Sequence, residues 1–298
     1  MPAKFKIGKL VVVGVGLIGG SFALALKRAK AVKRVVGVGR TRKNLAVALR
    51  LGIIDEAHTD AARAVEGADL VLLGTPVGQM PEIMARIAPY LSAHTVISDG
   101  GSTKQDVILY ARRLLGDHFA RFVPAHPIAG TEKSGAAAAF PELYRGKNLI
   151  ITPQPETSAR AVRMVSAAWK QCGARIVRLK AQEHDAIFAA VSHLPHVVAF
   201  ALVNALARRP NPRRLFGFSG GGLRDTVRIA GSSPEMWRDI CIANRTGLLA
   251  ALDDYEVELE MMRSAIESGD GAALEQMFGR ARAAREKWLL RASARSRD

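Results

Sequence analysis

The chain has 298 residues, room for about two domains at the usual ~150 residues each, and its 49% hydrophobic and 23% charged side chains exclude a disordered or fibrous protein. Two cysteines far apart, Cys172 and Cys241, fit no metal or redox spacing, so a reduced cytoplasmic compartment is expected. The net charge of +16 is concentrated in residues 1–179, with 26 basic and 12 acidic side chains against 17 and 15 in residues 180–298; such a field attracts nucleic acid or small phosphorylated and carboxylated ligands.

The first 20 residues are basic and then apolar, as in a signal peptide, but Gly14 and Gly16 interrupt the run and a helical pattern follows without a cleavage signature. That stretch reads as a first strand. Candidate strands lie at 9–15, 34–38, 69–74, 95–98, 121–125, 148–152 and 174–179, with helical segments at 18–29, 44–51, 80–88 and 158–172. Near-continuous apolar strands alternating with helices predict an α/β domain over residues 1–179, with a mostly parallel sheet covered on both faces. After residue 179 only helical signatures remain, at 193–206, 234–266 and 272–291, predicting an all-α second domain over 180–298. Ser232-Ser233-Pro234-Glu235 offers a cap, a first-turn proline and a capping-box glutamate. The stretch VVAFALVNAL at 197–206 is apolar on nearly every side and is expected to be buried all round, in a helical core or a subunit interface. No apolar run reaches the ~18–20 residues that cross a bilayer, so no membrane partner is expected.

Gly14-Val15-Gly16-Leu17-Ile18-Gly19 follows the first strand and opens a helix, the context a dinucleotide-binding turn requires; a glycine-rich turn without ligand is the alternative. The second strand ends in Gly39-Arg40-Thr41-Arg42-Lys43. An NAD site usually places an acid there for the ribose hydroxyls. Cations and a hydroxyl instead suit a 2′-phosphate and favour NADP, unless they form only a solvated basic turn. Thr75-Pro76, the segment from Asp99 to Lys104 with Ser102 within it, and the segment from His126 to Glu132 end three successive strands at the ligand-collecting edge of the sheet.

In the second half, Ser192-His193-Leu194-Pro195-His196 reads as a helix start with Ser192 as cap. His193 and His196 then share a face, kept neutral by the positive helix end and able to donate to an anion. A structural pair or a zinc pair are the alternatives, and no third properly spaced ligand accompanies them, so no metal is expected. If the segment from Leu223 is helical, Arg224 and Arg228 share a face suited to a dicarboxylate, or else to surface salt bridges. The segment 280–297 carries Arg280, Arg282, Arg285, Lys287, Arg291, Arg295 and Arg297 and reads as a solvated helix, with an RNA-contacting tail as the alternative.

Taken in order, GVGLIGGS (14–21), DGGSTK (99–104), HPIAGTEKSG (126–135), VSHLPH (191–196), GGGLRDTVRIA (220–230) and MWRD (236–239) resemble the prephenate/arogenate dehydrogenase family of tyrosine biosynthesis, from residue 9 to about residue 260. The resemblance implies a Rossmann-type domain followed by a helical domain through which two subunits dimerise. It implies oxidative decarboxylation of a cyclohexadienol to an aromatic ring, giving 4-hydroxyphenylpyruvate or tyrosine. His126 matches the catalytic histidine that accepts the ring-hydroxyl proton, and Ser102 the serine that orients it. Arg228 matches the arginine for a substrate carboxylate and His196 a substrate-binding histidine, with His193 and Thr131 beside them. Glu132 and Asp225 match acids at the pocket entrance; Trp237 and Arg224 match pocket-wall or partner-subunit residues. Gly39 stands where NAD-dependent members carry an acid, which implies NADP dependence or dual use. The chain leaves no room for an appended regulatory or chorismate mutase domain, so any feedback by tyrosine is expected at the active site. An enzyme accepting both prephenate and arogenate is expected. Rival readings are another NADP oxidoreductase of the imine reductase or β-hydroxyacid dehydrogenase type, and a non-enzymatic nucleotide- or RNA-binding protein; charge concentrated in the first half argues against a nucleic-acid partner.

Overall fold

Valine, leucine and isoleucine fill the strands of the first half, and the computed structural model, which describes residues 5–131 and 133–295, pairs them into a six-stranded parallel sheet. Its strands are β1 (Ile7–Val13), β2 (Val32–Val38), β3 (Glu56–His58), β4 (Leu70–Leu73), β5 (Val96–Asp99) and β6 (Phe122–Val123), in the order β3-β2-β1-β4-β5-β6. Glu132 and Arg297 lie outside the described residues.

Side chains alternate across β1. Leu10 and Val12 join Phe22 and Leu26 of α1 (Leu17–Arg28) and Val165 and Trp169 of α6 (Ala159–Gln171) in one core. Val11 and Val13 join Val65 of α3 (Ala61–Val65), Met84 of α4 (Met80–Ile87) and Val107 of α5 (Gln105–Leu114) in the other. Each fully buried side chain of this size stabilises the fold by roughly 1.5–3 kcal/mol. α2 (Arg42–Arg50) lies between β2 and β3 in sequence. Because strand order reverses between β1 and β4, a crevice opens at their carboxyl ends.

The expected strand 121–125 is two strands. Pro124 has no N–H for a ladder; beyond it β7 (Ala125–Pro127) leaves the parallel sheet and pairs antiparallel with β8 (Asn148–Ile151), which pairs parallel with β9 (Arg175–Arg178). The last two predicted strands therefore belong to a second, mixed sheet, and this switch carries His126, paired in register with Ile150, out of the main sheet.

The helices correct four further expectations. α7 (Ala181–Phe188) runs through a π-turn (Ala189–His193) into α8 (Leu194–Ala207), so Ser192 caps nothing. This continuous helix, Ala181–Ala207, has a mean hydropathy of 1.9 and is long and apolar enough to cross a membrane by length and composition, contrary to expectation. Its His184, Asp185 and His193 are nonetheless buried in the site described below. Within α8 only Ala199 is buried, which leaves the subunit-interface alternative for that apolar segment. The expected helix 234–266 breaks at Asn244 into α11 (Pro234–Ala243) and α12 (Arg245–Glu267). Before it come α9 (Pro212–Gly217) and α10 (Gly221–Val227), and after it α13 (Gly271–Arg295).

One compact unit extends to Leu248 and a second begins at Leu249. The second holds the rest of α12, the turn at Gly269 (φ 69°) and α13, and exposes Val257, Ile266, Phe278 and Leu290.

Candidate active site

The turn after β1 shows three glycines with three physical reasons. Gly14 adopts φ 94°, and a Cβ there would lie 2.7 Å from the Gly74 carbonyl group. Gly19 brings α1 so close to β1 that a Cβ would lie 2.4 Å from the Gly14 carbonyl oxygen. Gly16 faces open space: among the described residues no atom beyond its chain neighbours lies within 4 Å of a Cβ position, and no side chain caps α1. The turn is braced from outside: Asn44 donates to the Val15 carbonyl (2.8 Å) and Tyr144 O–H to that of Ile18 (2.6 Å). Thr75 touches the Gly14 position, and its buried Oγ1 has no hydrogen-bond partner among the described residues. Uncapped N–H groups over open space, with Leu17 and Ile18 in the first turn and Thr75-Pro76 opposite, fit a dinucleotide pyrophosphate.

At the end of β2, Arg40, Thr41 and Arg42 are exposed. Thr41 caps α2, its Oγ1 accepting from Asn44 N–H at 3.4 Å, and Arg42 opens that helix. Arg40 holds Glu235 two-pronged, Nη1 to Oε1 at 3.2 Å and Nη2 to Oε2 at 3.4 Å. Ser233, as expected, caps α11 with Pro234 in its first turn, but Glu235 is no capping-box residue: it accepts from Arg40 and from Gln79 Nε2 (2.9 Å) instead. Hydrogen bonds from Arg40 first and Gln79 second hold its carboxyl below the usual range.

β7 presents His126, partly exposed. Its Nδ1 lies 2.8 Å from His184 Nε2, and His184 Nδ1 lies 2.8 Å from Asp185 Oδ1. Asp185 also accepts from the N–H groups of Lys104 (2.8 Å) and Gln105 (2.9 Å). Burial opposes the Asp185 charge, but the hydrogen bond from His184 and those two N–H groups prevail and keep its pKa below the ordinary value. An ionised carboxylate only accepts, so His184 carries its proton on Nδ1. Burial lowers the His184 pKa against the pull of Asp185, leaving a neutral ring with a lone pair on Nε2. His126 must then donate from Nδ1, and its own Nε2 is bare. Burial first, then the charges of His184, Lys104 and His193, push the His126 pKa well below 6.5, so that bare nitrogen is a base at neutral pH. Phe188 packs against both rings, centroids 4.8 and 4.6 Å away.

Beneath this chain of hydrogen bonds Lys104 and Asp99 form a fully buried ion pair. Asp99 also accepts from the N–H groups of Gly101 and Ala125, each at 2.9 Å, so one carboxylate joins the loop bearing Ser102 to the strand bearing His126.

Asn244 explains the break between α11 and α12. Its Nδ2 donates both to the Asp185 carbonyl (2.8 Å) and to His193 Nδ1 (3.1 Å). His193 therefore carries its proton on Nε2, which is buried and has no partner among the described residues. Burial pushes its pKa down to about 4. His196 has the opposite tautomer: Nδ1 donates to the Ser192 carbonyl (2.9 Å), leaving Nε2 an acceptor, while the ring stacks on Trp237 at 3.6 Å. Burial lowers its pKa and the Arg228 charge lowers it further, against the Ser192 carbonyl. The expectation that both rings donate, neutralised by a helix end, is thus corrected. His196 spends its N–H on the Ser192 carbonyl, so of the two rings only His193 keeps an N–H to offer a ligand, and burial is the first cause of neutrality in both.

Arg228 opens the 3-10 turn that follows α10, so the α-helix expected to align it with Arg224 ends first; Arg224 and Asp225 are exposed on α10. Thr131 is exposed, its Oγ1 accepting from Lys133 N–H at 3.2 Å. Among the described residues no three His, Cys, Asp or Glu side chains cluster to hold a metal. Sequence reading missed His184, Asp185, Phe188, Asn244 and Gln79. The available signal was an adjacent His-Asp pair at the start of a mostly apolar helix.

Two family models match the chain: "Prephenate dehydrogenase, nucleotide-binding domain" over residues 22–178 and "Prephenate dehydrogenase, dimerization domain" over 180–280. The chain is 37% identical to a prephenate dehydrogenase of Bacillus subtilis over 95% of its own length and 76% of the relative's. It is equally identical, at 37%, to a cyclohexadienyl dehydrogenase of Zymomonas mobilis, covering 93% and 94%. Its fold is similar to the crystal structure of an Aquifex aeolicus prephenate dehydrogenase in complex with hydroxyphenyl propionate and NAD+, with TM-score 0.87, 34% identity, and coverage of 96% of this chain and 99% of that one.

Proposed function

The chain belongs to the prephenate dehydrogenase family, nicotinamide-dependent oxidoreductases of tyrosine biosynthesis, and on that premise we propose that it oxidatively decarboxylates both prephenate and arogenate with NADP as preferred cofactor. The observation that carries this reading is the Asp185–His184–His126 chain, which fixes a bare Nε2 on His126. When bound, the dinucleotide supplies the acceptor for the hydride leaving the hydroxyl-bearing ring carbon. His126 Nε2 takes the hydroxyl proton, with Ser102 orienting that hydroxyl. Loss of CO₂ from the opposite ring carbon makes the ring aromatic and drives the reaction, so the protein has mainly to orient its ligands and move one proton. Arg228 and the His193 Nε2–H, which has no partner among the described residues, bind the side-chain carboxylate. No cation is assigned to the departing carboxylate, which a counter-charge would retain. His196 and Trp237 form a wall, and Thr131, Arg224 and Asp225 border the entrance.

Gly39 in place of an acid, with Arg40, Thr41 and Arg42 exposed beside it, supports NADP. The division near residue 180, a homodimer formed through the helical part, and a cytoplasmic location with both cysteines free complete the reading. Rates with prephenate and with arogenate, each with NADP⁺ and NAD⁺, test it through reduced-cofactor absorbance. Turnover of both substrates with NADP⁺ supports it. Turnover with NAD⁺ alone overturns the cofactor preference, and silence in all four reactions overturns the activity.

A further inference from the structure

The acid missing from the end of β2 has a counterpart elsewhere. Glu235, 195 positions further along the chain, lies on the Arg40 guanidinium with both oxygens, and Gln79, from the 3-10 turn after β4, steadies one of them at 2.9 Å. Glu235 therefore reaches from the first turn of α11 to the segments that follow β2 and β4 at the carboxyl edge of the sheet. The two-pronged contact uses the same guanidinium N–H groups that a phosphate would take, since carboxylate and phosphate present similarly spaced oxygens. Side-chain exposures of 71% for Arg40 and 41% for Glu235 place the pair in high dielectric, where ion pairs are weak and exchange readily.

We propose that Glu235 is a specificity-determining residue: it competes with the cofactor 2′-phosphate for Arg40 and so sets the balance between NADP and NAD. This rests on the assignment of Arg40 to the phosphate. With NADP bound, the carboxylate must give up the guanidinium fork and remain near a dianion. With NAD bound, it keeps Arg40 and leaves an acid near the end of β2, where an NAD site normally carries one.

The test is calorimetric binding of adenosine 2′,5′-bisphosphate and of AMP to the full chain, as wild type, Glu235→Gln, Arg40→Gln and the double variant. Glu235→Gln is expected to tighten the bisphosphate about three- to tenfold and to change AMP by less than about twofold, as loss of one like charge near an exposed site should. Most of that gain should vanish in the Arg40→Gln background. The ratio of kcat/KM for NADP⁺ over NAD⁺ should move in parallel. If Arg40→Gln weakens the bisphosphate while Glu235→Gln changes nothing, the inference falls and the phosphate assignment stands. An equal gain with and without Arg40 also overturns it, because bulk repulsion would then suffice. If Arg40→Gln leaves the preference for bisphosphate over AMP untouched, the phosphate assignment fails and takes the inference with it.

Discussion

At His126 the two nitrogens of one ring have different roles because each neighbour can bond in only one sense. Asp185 accepts, so His184 donates to it; His184 then has only a lone pair to offer, and His126 must donate back. Replacing His126 by Asn should lower kcat roughly 10²–10⁴-fold, the usual scale for a lost general base, with NADP⁺ affinity by calorimetry nearly unchanged. Retained turnover would remove His126 from the chemistry. Because burial, chiefly, depresses its pKa well below 6.5, kcat/KM should show no titration near 6.5 and should decline only at clearly lower pH; an acid limb at 6.5 or above would contradict the assignment of a neutral base. Stability carries the same sign. His193 has a pKa of about 4 when folded against 6.5 otherwise, so protons favour the unfolded chain. Its contribution is intact above 6.5 and falls by about 1.4 kcal/mol per pH unit on the way down to the folded value. Urea midpoints should drop between neutral and acid pH, and less steeply in His193→Asn.

At the scale of elements, the turn between β1 and α1 separates binding from packing. Gly16→Ala puts a methyl into open space, so melting temperature should hardly change while NADP⁺ affinity falls at least severalfold. Gly19→Ala drives a methyl against the Gly14 carbonyl and Val12, and overpacking of this kind costs about 1–3 kcal/mol. Thermal denaturation and calorimetry on the two variants distinguish them; equal destabilisation would refute the contrast. The strand expected at 121–125 shows an element-level signal that was present but undervalued. Pro124 interrupts the ladder, and the three residues after it change sheets, which is how His126 comes to face α7.

For the whole molecule, Val257, Ile266, Phe278 and Leu290 are more than half exposed in the second unit, and α8 buries only Ala199. Solvent does not favour so much exposed apolar surface, and a second subunit is the expected cover. Sedimentation should find a dimer, and the pair Val257→Glu with Ile266→Glu should shift it towards monomer; a monomeric wild type would overturn the homodimer. Local sequence determined the alternation of strands and helices, the glycine turn, the absent acid at Gly39 and the blocks that place the chain in its family, because backbone propensity and side-chain period act over a few residues. Tertiary structure alone decided that His184 meets His126 across 58 positions, that Asn244 orients His193 across 51, and that Glu235 reaches Arg40 across 195. Those contacts depend on which strand ends and helix turns the topology brings together, and no short-range rule encodes that.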